Sequence, residues 1–477
     1  LWGSGAGYGR GVVVAEVRGG ECSMDEGERS RRAEAGRGAA EELLARQVSG
    51  VVLTWVDTGG ITRAKAVPCG RLEHAAAWGV GMSPAFDFCM LDDSILKGPF
   101  SAGPVGDLRL HPDLDRLAVL AALPGWAWAP ADRYDLDGRP HPRDGRGQAR
   151  RAVERLGADG FTVRAAFEVE WSLSLGHGDE FVPACGGPAY GMTPFMEQAD
   201  YLRDVLDALT ATGVSVDQIH PEYAAGQFEV SVAATDPLAA ADTFVLVRET
   251  IRAISHRHGM RASFAPMVTT DGVGNGAHVH LSLWRDGRNL MSGGDGGYGL
   301  TPTGESFAAG ILSRLPALLA IGAPSAASYL RLIPFHWAGA FACWGWENRE
   351  AALRFVPGAS GDGARAANFE IKSFDATANP YLLMAALLAA GQTGLAEKAV
   401  LPAPVDINPA KLEPSRSVPA LPSSLEEAVQ ALESDDALAE ALGEPMITAI
   451  TVVRRGEAAL FDSCTNEEIV ARTRWRH

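Results

Sequence analysis

Four short segments place polar, reactive side chains two residues apart. Phe167-Glu168-Val169-Glu170-Trp171 carries two carboxylates, and Ala277-His278-Val279-His280-Leu281-Ser282 carries two imidazoles and a hydroxyl. Phe369-Glu370-Ile371-Lys372 pairs a carboxylate with an ammonium, and Gln227-Phe228-Glu229-Val230 pairs an amide with a carboxylate. In a β-strand, residues i and i+2 point to one face. The opposite face here is apolar: Val169, Phe228, Val279, Leu281 and Ile371. Carboxylates crowded on one face repel and raise each other's pKa unless cations lie between them. Bound divalent metal resolves that conflict most simply. Oxygen-rich ligation with one imidazole suits magnesium or manganese better than zinc, and two such ions can clamp a transferring phosphoryl group. One alternating strand is ordinary; four such strands in apolar neighbourhoods point to a shared metal face.

A second cluster is basic. Arg331 precedes Leu332-Ile333-Pro334, and Asn348-Arg349 and Leu353-Arg354 follow. Guanidinium groups bind carboxylates and phosphates through two parallel hydrogen bonds.

The elements that must hold these residues fit a chain of 477 residues with 47% apolar and 21% charged composition, long enough for more than one domain. The net charge of −17 argues against nucleic acid or an anionic membrane surface as main partner. No uninterrupted apolar run reaches the roughly 18 residues of a membrane helix. The six cysteines are widely spaced, which predicts reduced thiols in a cytoplasmic protein. Residues 1–36 read as a disordered tail or upstream translated sequence. A short helix at 37–47 is followed by a hairpin, Val51 to Val56 and Ile61 to Val67, around the turn Asp57-Thr58-Gly59-Gly60. A polar break at 135–140 separates a domain over 37–138 from a larger one over 139–477. Helices are expected at 146–156, 194–212, 236–258, 303–321 and 379–396, the last opened by Asn379-Pro380. An acidic helix is expected at 424–443, after a Pro-rich stretch.

At these motifs the chain resembles the glutamine synthetase family, from about residue 40 to the end. Glu168-x-Glu170 is similar to the family's first metal strand, and Glu222-Tyr223-Ala224-Ala225-Gly226-Gln227-Phe228-Glu229 to its second metal segment. Gly274-Asn275-Gly276-Ala277-His278 onward resembles the glycine loop and histidine strand. The resemblance implies an α+β fold: a small N-terminal β-grasp-like domain, and a catalytic domain with a curved antiparallel sheet flanked by helices. It implies ring-shaped homo-oligomers, commonly dodecamers. It also implies ATP, two or more Mg2+ or Mn2+ ions per site, and an acyl-phosphate intermediate displaced by an amine. Carried over residue by residue, Glu170, Glu222 and Glu229 would hold one metal, and Glu168, His278 and Glu370 the other. Asp217, His280, Ser282 and Arg354 would lie at the nucleotide. Arg349 would meet both the phosphate and the acid, Arg331 the substrate's α-carboxylate, and Gly274 the acid substrate.

The departures from the family pattern concern the substrates. Six residues after Arg331 the family has a flap glutamate that builds the ammonium site; here the position is Trp337. Tryptophan accepts no proton, but it stacks on organic amines and holds cations on its face. Lys372 replaces an arginine, and Val273 replaces an asparagine at a glutamate contact. The family's Asp-Gly-Ser-Ser loop, which enters the neighbouring subunit's site, has no clear counterpart; Phe86-Asp87-Phe88-Cys89 is nearest. This combination resembles the branch that joins glutamate to organic amines such as polyamines or ethanolamine. The expectation is therefore an ATP-dependent ligase forming a γ-glutamyl amide. Ordinary glutamine synthesis from ammonia and a catalytically silent ring protein are the alternatives.

Overall fold

The Asp57-Thr58-Gly59-Gly60 turn closes a hairpin between β1 (Gly50–Val56) and β2 (Thr62–Pro68), paired antiparallel from Gly50↔Pro68 to Val56↔Thr62. Gly60 takes φ 83°, and its amide donates to the Asp57 carbonyl. Glycine is required there twice over. A Cβ would stand 1.8 Å from the Thr377 carbonyl oxygen, and the left-handed conformation disfavours side chains. In the computed structural model, which describes residues 24–101, 103 and 105–477, this hairpin belongs to a six-stranded sheet. The other strands are β3 (Val80–Met82), β4 (Leu108–Pro112), β5 (Ala118–Val119) and β6 (Trp126–Tyr134). The order is β2-β1-β6-β4-β3, with β5 on β6 and β1 parallel to β6.

The first helix, Glu26–Ala45, begins eleven residues before the expected 37 and occupies part of the expected tail. Its start is set by polar interactions that an apolar periodicity does not register. The Asp25 carboxylate caps the Glu28 amide, and Glu28 pairs with Arg32 one turn on. Ala40 and Leu43 are buried, and the helix packs on Leu72–Trp78, with Arg29 over the Trp78 ring at 4.8 Å. Residues 1–23 of the expected tail, with Cys22, lie outside the described residues. The other five cysteines are unpaired.

The second sheet has nine strands: β7 (Thr162–Leu175), β8 (Val216–Pro221), β9 (Gln227–Val232), β10 (Met260–Ser263), β11 (Ala277–Arg285), β12 (Arg288–Asn289), β13 (Phe341–Trp346), β14 (Ala351–Val356) and β15 (Asn368–Ile371). Its path runs β13-β14-β15-β11-β7-β9-β8 and is antiparallel except for β13 with β14. The apolar face of this sheet joins the main core, where Val169, Phe228, Val279, Leu281 and Ile371 are essentially inaccessible. Three long helices line that core: Pro237–Arg257, Pro302–Gly322 and Pro380–Glu397. Each opens with proline behind a capping side chain (Asp236, Thr301 or Asn379) that accepts a first-turn amide. Asn379 also donates through Nδ2 to the carbonyls of Val56 and Asp57, tying the first hairpin to the second sheet's helices. Pro302–Gly322 is long and apolar enough to cross a membrane by length and composition, a property that counting uninterrupted apolar runs misses; most of it is buried within the fold. The expected acidic helix at 424–443 is two, Leu425–Glu433 and Asp436–Leu442, and Glu444–Phe461 and Asn466–Thr473 follow without having been anticipated.

Candidate active site

Antiparallel register decides which of the period-two residues meet. His278 stands opposite Glu168, His280 opposite Glu370, Glu370 opposite Arg354, and Glu170 opposite Glu229, which stands opposite His220. Directly opposed residues share a face, so a polar band runs across β14, β15, β11, β7, β9 and β8.

Two close clusters form within this band. Ligand atoms of Glu168, His280 and Glu370 lie within 4.8 Å of one another, as do those of His220, Glu222 and Glu229. The expected grouping put His278 and Glu170 in these places. His278 stands beside its expected partners, its Nδ1 3.2 Å from Glu168 and 3.3 Å from Glu370, and its Nε2, 3.7 Å from Glu170, links the two clusters. Glu170 also accepts from Gln227 Nε2 at 3.1 Å and from the Gly276 amide at 2.8 Å. His220, 3.2 Å from Glu229, was not anticipated, although its i, i+2 relation to Glu222 was visible in the sequence.

Charge is unevenly settled here. Burial and the nearby carboxylates Glu168, Glu170 and Glu222 push Glu229 up to about 11. Burial and Glu170 raise Glu222 as well. Burial also works against ionised Glu370, but Lys372 (3.0 Å) and the two histidines override it and hold Glu370 well below the usual carboxylate range. His280 is pushed up to about 9: burial opposes its charged form, and Glu168 and Glu370 outweigh burial. This donor set of carboxylates with imidazoles, with more negative charge than its own cations settle, fits hard divalent cations.

A cavity of about 580 Å3 opens onto the band. Glu168, Glu170, Glu222, Glu229 and His278 form one side, with Arg331, Arg349 and Lys372 nearby. Val273 and Gly274 also line it. A Cβ on Gly274 would lie 2.2 Å from the Pro266 carbonyl, so only glycine lets the loop pass there. The rim is aromatic: Tyr190, Tyr223, Phe335 and Trp337. Tyr190, Phe335, His336 and Asp271 escaped sequence reasoning, because they lie in irregular segments without period or motif. Trp337 is 52% exposed at φ 53°, and Phe335 sits at φ 69°.

The remaining expected residues divide. Arg331 is buried, donating to the carbonyls of Phe374 and Lys372 and contacting His278 at 3.2 Å, so much of its hydrogen-bonding capacity is used within the protein. Arg349 is exposed at the cavity. Arg354 pairs with Glu370 at 2.9 Å and with Glu347. Ser282 accepts from Trp284 at 2.8 Å. Arg354, His280, Ser282 and Glu370 lie outside the cavity lining. Asp217 pairs with none of these groups; it is exposed on the edge strand β8, at a register shift between Val216 and Gln218. Asp87 is buried among Arg133, His141 and Arg143 of its own chain, a structural ion cluster. A second cavity of about 600 Å3, lined by Arg248, Arg252, Arg261, Trp475 and His477 among others, contains none of the band's carboxylates.

The glutamine synthetase catalytic-domain family matches residues 142–472. The chain is 54% identical over 443 residues to the Gamma-glutamylpolyamine synthetase GlnA3 of Streptomyces coelicolor, covering 91% of this chain and 95% of that one. It is 32% identical over 410 residues to the glutamine synthetase of Pyrococcus horikoshii, covering 84% and 88%. Among solved structures, a novel glutamine synthase homolog superposes with a TM-score of 0.81 at 35% identity, covering 90% and 99%. An ADP complex of GmaS superposes with a TM-score of 0.80 at 28% identity, covering 89% and 96%.

Proposed function

The chain belongs to the glutamine synthetase family, and from that premise we propose that it joins glutamate to an organic polyamine at the expense of ATP. The γ-carboxylate of glutamate attacks the γ-phosphorus of ATP. ADP leaves, and a γ-glutamyl phosphate forms. The free amine then attacks the acyl carbon, the C–O bond to phosphate breaks, and the amine's surplus proton passes to a carboxylate of the cavity.

The observation that carries this reading is the band itself, built from separate strands by register and opening on a cavity whose rim is aromatic where the family carries a flap glutamate. Glu168, Glu170, Glu222, Glu229, His278 and Glu370, with His220 and His280, are the side chains that would hold two or more Mg2+ or Mn2+ ions. Such ions, when bound, neutralise phosphate charge during transfer. Arg349 at the cavity and Arg354 beside Glu370 supply guanidinium charge, Lys372 keeps Glu370 ionised, and Arg331 and the Gly274 loop shape the acid's seat. Trp337 and the tyrosines offer π faces to a cationic amine. The 54% identity to a gamma-glutamylpolyamine synthetase supports a polyamine over ammonia. A homo-oligomeric ring in the cytoplasm belongs to the same proposal, by family likeness.

Phosphate release with ATP and glutamate tests the reading, with ammonium and a panel of mono-, di- and polyamines as acceptors and mass spectrometry of the product. Turnover should be highest with polyamines and yield the γ-glutamyl amide. Saturating turnover with ammonium that no amine exceeds would overturn it.

A further inference from the structure

Glu350 follows Arg349 and immediately precedes β14. It is only 5% exposed. Its Oε1 accepts the Trp337 amide at 3.3 Å, while Oε2 is buried without a hydrogen-bond partner. Among the described residues no lysine, arginine or histidine pairs with it. The carboxylates of the band each have a basic neighbour: Lys372 and Arg354 for Glu370, His278 and His280 for Glu168, His278 for Glu170, and His220 for Glu222 and Glu229; Asp271, also at the cavity, is exposed to solvent. A buried carboxylate with an unused oxygen carries an uncompensated desolvation cost that a cation would relieve.

Its position names the cation. Arg349, its neighbour in sequence, and Trp337, whose amide it holds, both line the cavity. The loop above it places Phe335 and Trp337 at φ 69° and 53°, conformations disfavoured for aromatic residues and kept only where contacts hold them. The Glu350–Trp337 hydrogen bond is one such contact. Glu350 itself does not line the cavity, so a ligand reaches Oε2 only if this loop shifts; the lining it would then join includes the aromatic Phe335 and Trp337.

We propose that Glu350 is a cation subsite for the second nitrogen of the amine substrate, so that the acceptor is a molecule with two ammonium groups joined by an apolar spacer. The inference rests on the organic-amine reading above and deepens it. One nitrogen reacts at the acyl phosphate; the other pairs with Glu350 Oε2, the oxygen that the Trp337 amide leaves unused. The fixed negative charge that Trp337 removes from the lip is thereby supplied from beneath it, at a place that selects for the distal end of the amine.

The test is steady-state phosphate release with saturating ATP and glutamate, comparing 1,4-diaminobutane with butylamine, which has the same spacer and one nitrogen. Glu350→Gln keeps an oxygen for the Trp337 amide but loses the charge. It should raise KM for the diamine by about tenfold to a hundredfold, the range of a hydrogen bond to a charged group. KM for butylamine, glutamate and ATP should stay within about twofold. Glu350→Asp, which keeps the charge, should retain the preference for the diamine and guards against a folding defect in the amide variant. An unchanged diamine-to-monoamine ratio in Glu350→Gln, or an equal rise for both amines, would overturn the subsite and leave the ligase reading standing. Absence of turnover by the wild type with every amine would overturn both.

Discussion

Replacing Glu229 by glutamine should stabilise the metal-free protein while removing its response to divalent cations. Glu229 is buried beside Glu168, Glu170 and Glu222, and its carboxyl is pushed up to about 11 from the usual 4.5. The folded state therefore holds a proton that the unfolded chain releases. A raised folded value favours folding fully below pH 4.5, and that contribution is lost as pH rises toward 11. At pH 7 the loss spans 2.5 pH units, about 3 kcal/mol at roughly 1.4 kcal/mol per unit. Glutamine fills nearly the same volume and takes up no proton, so Glu229→Gln should recover up to about that amount at pH 7. The assay is chemical or thermal denaturation at pH 6, 7 and 8 in a chelator and then in Mg2+ or Mn2+. In chelator the variant should be more stable than wild type and show a flatter decline with pH. With Mg2+ or Mn2+ the order should reverse, because the wild-type carboxylate gains a partner that the amide cannot match, and phosphate release should fall by at least about a hundredfold. A variant less stable than wild type in chelator with an unaltered pH slope would refute the idea that these carboxylates crowd one another.

Three further outcomes are expected. Trp337→Glu should raise kcat/KM for ammonium by about tenfold relative to organic amines, by returning a fixed charge to the lip; amine-competition assays read this directly, and an unchanged ratio would remove Trp337 from the specificity argument. Gly60→Ala should destabilise the protein by more than about 2 kcal/mol, since φ 83° is disfavoured and the Thr377 carbonyl stands where the methyl would go; denaturant titration would show it, and a neutral result would mean the hairpin is not pressed on the second sheet. Asn379→Ala should cost about 1–3 kcal/mol, because it removes a helix cap and leaves the Val56 and Asp57 carbonyls without their donor; an effect no larger than that of an exposed cap would contradict the tie between the two sheets.

Much of this site was written locally. Period two fixes that Glu168 and Glu170, His278 and His280, and Glu370 and Lys372 each share a face, because alternation is a property of the strand itself. Caps and prolines likewise announce the three core helices, through amides satisfied within a few residues. The Glu26–Ala45 helix was not legible in apolar periodicity, because its first turns rest on a cap and ion pairs.

What the tertiary structure alone decides is which strands become neighbours. Register brings His220 to Glu229 and makes His278 the link between two acidic clusters, and no residue spacing across 110 positions encodes a 3.2 Å contact between Glu168 and His278. It also buries Glu350 without a cation beside the Trp337 amide and leaves Asp217 exposed at a register shift. Burial, orientation and opposite charge are sums over distant segments. The sequence states the chemistry available on each strand, and the packing of the strands determines which of those groups share a dielectric, a charge and a substrate.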